Sequence, residues 1–191
     1  PRSTLFPYTT LFRSERCVIK PPLHPDDQET LRNIRVILAG NRIIRQLKQK
    51  DITAQSGLGD TVVSSIERGD IGPLRLQNLC KYAAVFDLAV KVSFSDLELD
   101  VPTSTPELDS LQALSDAAPY NGLWLEALVI AFLRHTRVQL HVPIEVLAPR
   151  LGLNADTLSR WENASVDPHL TRMMAYARQL GGIMRLELVT P

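Results

Sequence analysis

Three histidines in the second half of the chain, His135, His141 and His169, are the first places to look for metal or proton-transfer chemistry. They do not stand at metal-ligand spacing: there is no His-Glu-x-x-His run, and no paired acids lie nearby. Cys17 and Cys80 fall in neither a Cys-x-x-Cys nor a Cys/His pattern, and two cysteines make no disulfide framework. No glycine-rich phosphate loop is present, and no spacing of Ser, His and Asp argues for a nucleophile. These residue types predict a protein that is not an enzyme and uses no metal or cofactor. What does recur is a pair of opposite charges at a fixed separation. Arg42 stands 25 residues before Glu67, and Arg137 stands 25 residues before Glu162.

That recurrence belongs to a longer match. Gly57–Gly69 (GLGDTVVSSIERG) aligns without gaps to Gly152–Ala164 (GLNADTLSRWENA), 95 residues on. Gly57/Gly152, Leu58/Leu153, Ser64/Ser159 and Glu67/Glu162 are identical, and Ile52/Leu147, Val63/Leu158 and Ile66/Trp161 are paired apolar positions. Pro73/Pro168 keep the offset. One residue then drops out, and at offset 94 Leu76/Leu170, Leu79/Met173, Tyr82/Tyr176, Ala83/Ala177 and Phe86/Leu180 coincide. The chain reads as a tandem duplication of about 70 residues.

The elements that must position these residues follow from apolar spacing. A long helix is expected over Glu29–Leu47 and again over Leu123–Val138, followed by a short one near Lys50–Ser56 and Ile144–Leu151. A sharp turn at Gly57-Leu58-Gly59, or Gly152-Leu153-Asn154, leads into a third helix ending at Glu67 or Glu162. Asn154 is the better N-cap of the two, Gly59 the weaker. The fourth helix carries Leu76, Leu79, Cys80, Ala83 and Phe86 on one stripe; its counterpart carries Leu170, Met173, Met174, Ala177 and Leu180. Cys80 and these methionines are thus expected in the core. The period then changes to two: Val90, Val92 and Phe94 alternate with Lys91 and Ser93, and Met184, Leu186 and Leu188 with Arg185 and Glu187. A lone edge strand is marginal, so strands Ala89–Phe94 and Ile183–Leu188 are expected to pair with each other. Pro149 is expected to kink the second copy's short helix.

Five segments result. Residues 1–14, PRSTLFPYTTLFRS, match codon by codon a translation of a common sequencing adapter; they are set aside as an adapter-derived artefact, with Glu15 the first residue taken as native. Residues 15–28 form an N-terminal tail, 29–94 the first folded unit, 95–121 a linker and 122–191 the second unit. The net charge is zero, but its distribution is uneven. Residues 31–94 carry ten Lys/Arg against five Asp/Glu, or +5; residues 122–191 carry seven against six, or +1. The linker carries six acids and no base, with Pro102 and Pro106 at its centre and a short helix expected from Thr105 through Leu108, Leu111 and Leu114. No apolar run approaches the roughly 18–20 residues of a membrane span, and a cytoplasmic protein is expected.

Taken together, Gly57-Leu58…Val63-Ser64…Ile66-Glu67-Arg68-Gly69 with Gln49 upstream, and Gly152-Leu153…Leu158-Ser159…Trp161-Glu162, resemble the lambda-repressor-like family (Cro/CI, XRE-type) of helix-turn-helix DNA-binding domains. The resemblance covers about 65 residues of each half. The strand after each fourth helix further resembles antitoxin-type members that dimerise through a C-terminal strand. The fold class implied is mainly α: two tandem helix-turn-helix domains, each followed by a short strand. By family position the base-reading candidates are Gly59, Asp60, Thr61 and Ser65 in the first copy, and Asn154, Ala155, Asp156 and Arg160 in the second. Gln49 would hold a phosphate, and Arg75 would sit near the DNA backbone. Arg42–Glu67 and Arg137–Glu162 resemble the family's semi-buried ion pair between first and third helices.

Double-stranded DNA is therefore the expected partner. The expected function is that of a sequence-specific transcriptional regulator, a repressor or autoregulator of bacterial or phage type, reading an imperfect palindrome as a pseudo-dimer. The alternative is a protein-interaction module or antitoxin-type partner in which one or both units do not read DNA. Asp60 and Asp156 would face phosphates, Ile144 replaces Gln49 in the second copy, and only Arg160 offers a bidentate guanine contact. The first copy is thus expected to bind DNA more strongly. The second copy's first helix, rich in apolar residues including Leu123, Trp124 and Phe132, is expected to pack on the other half, a second chain or a protein partner.

Overall fold

A computed structural model of the chain describes residues 23–69, 74–96 and 122–190, with the side chains of 122–124 left aside. The first helix, α1 (Pro25–Ile44), begins four residues before the expected Glu29. The His24 imidazole accepts the Asp26 N–H at 3.3 Å, and Pro25 takes the first helical position, where no N–H is needed. Apolar periodicity overlooks this turn because the residue it turns inward is Asp27, 1% exposed, rather than a hydrocarbon. The helix also stops short of Leu47, because Gln46 takes a left-handed φ of 56° and the Leu47 N–H closes back onto the Arg42 carbonyl at 3.0 Å.

The elements that follow are α2 (Gln49–Ser56), α3 (Asp60–Arg68), α4 (Leu76–Ala84) and β1 (Ala89–Ser95). The same order then recurs: α5 (Gly122–Gln139), α6 (Ile144–Arg150), α7 (Ala155–Glu162), α8 (Leu170–Gln179) and β2 (Ile183–Val189). Among the described residues the protein is thus mainly helical, with one two-stranded antiparallel sheet. Pro149 acts as a stop: α6 ends at the next residue, Arg150, and the Leu153 N–H bonds the Ala148 carbonyl at 2.9 Å. The linker helix expected at Thr105–Leu114 lies outside the described residues.

The expected stripes are buried. Leu76, Leu79, Cys80, Ala83 and Phe86 line the inner face of α4 and the turn after it; Leu170, Met173, Met174, Ala177 and Leu180 do so for α8. Burial pushes the Cys80 thiol up to about 12, the nearby Glu126 carboxylate adding to the effect, so it behaves as a small hydrophobe.

The strands pair in a register that relates the two halves reciprocally. Val92 lies opposite Leu186, the residue 94 positions later, and the flanking pairs are Val90↔Leu188 and Phe94↔Met184. Val92 thus meets its own counterpart, and every other residue meets the counterpart of the residue equally far on the other side of Val92, the pattern of a twofold interface made within one chain. Valine, leucine, methionine and phenylalanine face inward, while Lys91 lies opposite Glu187 on the outer face, a favourable cross-strand pairing of charge.

Further contacts bind the halves into one core. The helix α4 packs on α5, and β2 packs on α1. Phe132 of α5 stacks on Phe94 of β1, ring centroids 4.4 Å apart, so this part of the apolar α5 surface is covered by the other half. Leu123 and Trp124 lie outside the described side chains. The Leu170 N–H donates to the Leu74 carbonyl at 2.8 Å. Arg178 of α8 donates to Asp27 and Asp26 of α1, each at 3.0 Å.

Candidate nucleic-acid interface

The turn between α2 and α3 is built by backbone conformation. Gly57 closes α2 with φ 68°, a left-handed value that glycine adopts without steric penalty. Leu58 then turns into the core at 6% exposure, and Gly59 opens α3 with no side-chain cap. In the second half Gly152 takes φ 65°. There Asn154 caps α7, its Oδ1 accepting the Thr157 N–H at 2.7 Å. Both turns anchor a short helix by one inner side, Val63 and Ile66 for α3, Leu158 and Trp161 for α7.

The ends of α3 and α7 are tied to the preceding long helices by charge. Arg42 donates through Nε and Nη2 to the two carboxylate oxygens of Glu67 at 2.6 and 3.0 Å, and through Nη1 to the Leu47 carbonyl at 2.9 Å. Arg137 meets Glu162 at 2.7 Å through both nitrogens and bonds the Val142 carbonyl at 2.9 Å. Such two-pronged pairs fix orientation as well as charge. Each carboxylate also accepts the hydroxyl of a fourth-helix tyrosine, Tyr82 for Glu67 and Tyr176 for Glu162. Burial, then the bond to the glutamate, pushes both phenols above their ordinary value. Burial also works to raise the Glu67 carboxyl, but the bonds from Arg42, Gln49 and Tyr82 outweigh it and hold the group below its ordinary value. The tyrosines were not singled out as site residues in the sequence. Their identity at one offset, Tyr82 and Tyr176, was the available signal.

The expected base-reading residues lie on the outer sides of α3 and α7. Gly59, Asp60 and Thr61 are exposed and Ser65 half-buried; Asn154, Asp156 and Arg160 are exposed and Ala155 half-buried. Two other candidates have partners inside the protein. Gln49, expected at a phosphate, donates from Nε2 to Glu67 Oε2 at 2.9 Å and so braces the ion pair. Ile144 stands there in the second half, without that brace. Arg75, expected near the DNA backbone, lies 3.4 Å from Asp167 of the other half, both side chains 44% exposed.

Among the described residues no cluster of His, Cys, Asp and Glu could hold a metal ion, and no helix is long and apolar enough to cross a membrane. No family model, no curated protein and no solved structure matches the chain.

Proposed function

We propose that this protein is a sequence-specific DNA-binding regulator, a repressor or autoregulator acting in the cytoplasm, whose two halves are tandem helix-turn-helix units serving as a built-in dimer. The observation that carries the reading is the reciprocal register of β1 and β2 about Val92↔Leu186. A reader of palindromic DNA needs two recognition helices related by a twofold axis, about 34 Å apart or a multiple of it. A single chain containing two copies of one unit, joined through equivalent residues, meets the symmetry requirement. The exposed outer sides of α3 and α7, following tight turns, supply the surfaces a major groove about 12 Å wide admits.

The test is selection of the full chain on a random duplex library at moderate salt. The expected outcome is two related, unequal half-sites about one turn apart; absence of enrichment by folded protein overturns the reading. Arg160 is exposed on α7, and Arg160→Ala is expected to relax specificity at one half-site only. Uniform weakening across all sequences would count against base contact by that residue.

A second reading, a protein-interaction module or antitoxin-type partner, is favoured by the apolar side chains that α1 leaves in solvent. Val36 is 58% exposed, Ile43 63% and Ile44 81%. Salt separates the two: DNA affinity falls steeply between low and moderate salt through counterion release, whereas an apolar contact barely changes.

A further inference from the structure

A cleft of about 420 Å³ lies between α1, α3 and the start of α4. That is the size of a small-molecule site. Leu31, Ile34, Ile66 and Leu79 supply apolar lining, each no more than 6% exposed. Among the described lining residues Arg32 and Arg35 bring two guanidinium groups against one carboxylate, Glu29. Arg35 Nη1 donates to the Arg68 carbonyl at 3.1 Å, which holds its guanidinium beside the C-terminal end of α3. Gly69 makes that approach possible, because a Cβ there would lie 2.4 Å from Arg35 Nη1.

The second half supplies an internal comparison. Ninety-five residues on, Arg32, Arg35 and Ile66 correspond to Ala127, Ile130 and Trp161. Ile130 is 4% and Trp161 6% exposed. At matching positions the second half therefore buries an aliphatic chain and an indole, where the first half has an arginine and a smaller aliphatic chain. At positions 35 and 66 the first half has less hydrocarbon than the second, whereas at Leu31 it has more than the second half's Glu126, and it adds cations beside the apolar lining.

We propose that this cleft binds a small amphipathic carboxylate, with an aliphatic body of roughly six to ten carbons suited to a cavity of this size. The chain lies along Leu31, Ile34 and Ile66, and the carboxylate meets Arg32 and Arg35, whose planar forks suit a carboxylate. This inference stands whether or not α3 touches DNA, and its test contains none.

The experiment titrates the full chain with octanoate by calorimetry, with octan-1-ol and acetate as controls. The expected result is saturable one-to-one binding of octanoate, with octanol and acetate at least tenfold weaker. Ile66→Trp, which copies the second half, is expected to abolish binding while circular dichroism is unchanged. The Arg32→Gln/Arg35→Gln double variant, changing side chains at the cleft rim, is expected to weaken it at least tenfold, and it decides the matter where the tryptophan variant does not fold. The proposal is overturned by absent or unsaturable octanoate binding, by equal binding of octanol, or by octanoate binding that survives the double variant.

Discussion

Glu67 gathers groups from every helix of its half: a guanidinium from α1, an amide from α2 and a phenol from α4. A carboxylate 7% exposed is stable only while that company is intact. Arg42→Met is therefore expected to lower the unfolding free energy by about 3 kcal/mol, the cost of stranding a buried charge. Urea denaturation at neutral pH measures it, and a loss below about 1 kcal/mol would class the pair with solvated surface bridges. Because the folded carboxyl lies below its ordinary 4.5, its stabilisation is present above that pH and is lost as pH falls through the folded value. The two denaturation series should accordingly converge in acid. Glu126 has the opposite sign. It sits where the first half has Leu31, is 4% exposed, accepts the Gln77 N–H on Oε2, and has no partner for Oε1 among the described residues. Burial, and then Asp167, raise its carboxyl to about 7. Protonation therefore favours the fold: the contribution is complete below 4.5 and is lost as pH rises to 7. Glu126→Gln should remove that slope and stabilise the protein at pH 8 by up to roughly 3 kcal/mol. Equal stability of the two proteins from pH 4.5 to 8 would mean that the carboxylate is solvated.

At the scale of elements, the helices and strands were legible because their inner faces are plain hydrocarbon at spacing 3.6 or 2. Leu76, Leu79 and Ala83 announce α4, and Val90, Val92 and Phe94 announce β1. What escaped was polar. The first turn of α1 buries Asp27, whose partner Arg178 is 151 residues away, and charged residues read locally as surface. Gln49 and Arg75, which the family resemblance points toward DNA, each have a partner within the protein. The site network was half legible: the repeated Arg and Glu were visible at spacing 25, whereas the phenol reaching them from the fourth helix is a tertiary fact. The two halves also differ at one helix end. Gly69 closes α3 at φ 82°, but its counterpart Ala164 holds a left-handed φ of 52° with a Cβ in place. Ala164→Gly should relieve that strain and stabilise the protein by about 1 kcal/mol. A thermal melt checks it, and a lowered midpoint would contradict the strain argument.

At the scale of the molecule, the halves share one core and several polar ties. They are expected to unfold together, in one transition seen alike by far-ultraviolet dichroism and tryptophan fluorescence. Arg178→Met should cost about 3 kcal/mol by leaving Asp27 buried without its cation, and that loss should appear in the shared transition. Two separated transitions in the unaltered protein would mean that each half is stable by itself. The strand register has a consequence for dosage. Two separate chains meeting through such a ribbon would dissociate on dilution, and the concentration of the paired form would rise as the square of the chain concentration. Joined in one chain, the strands see each other at an effective concentration fixed by the chain between them, whatever the number of molecules in the cell. Under the proposed function, occupancy of a paired DNA site at low protein levels would then track the amount of protein in direct proportion, without a threshold.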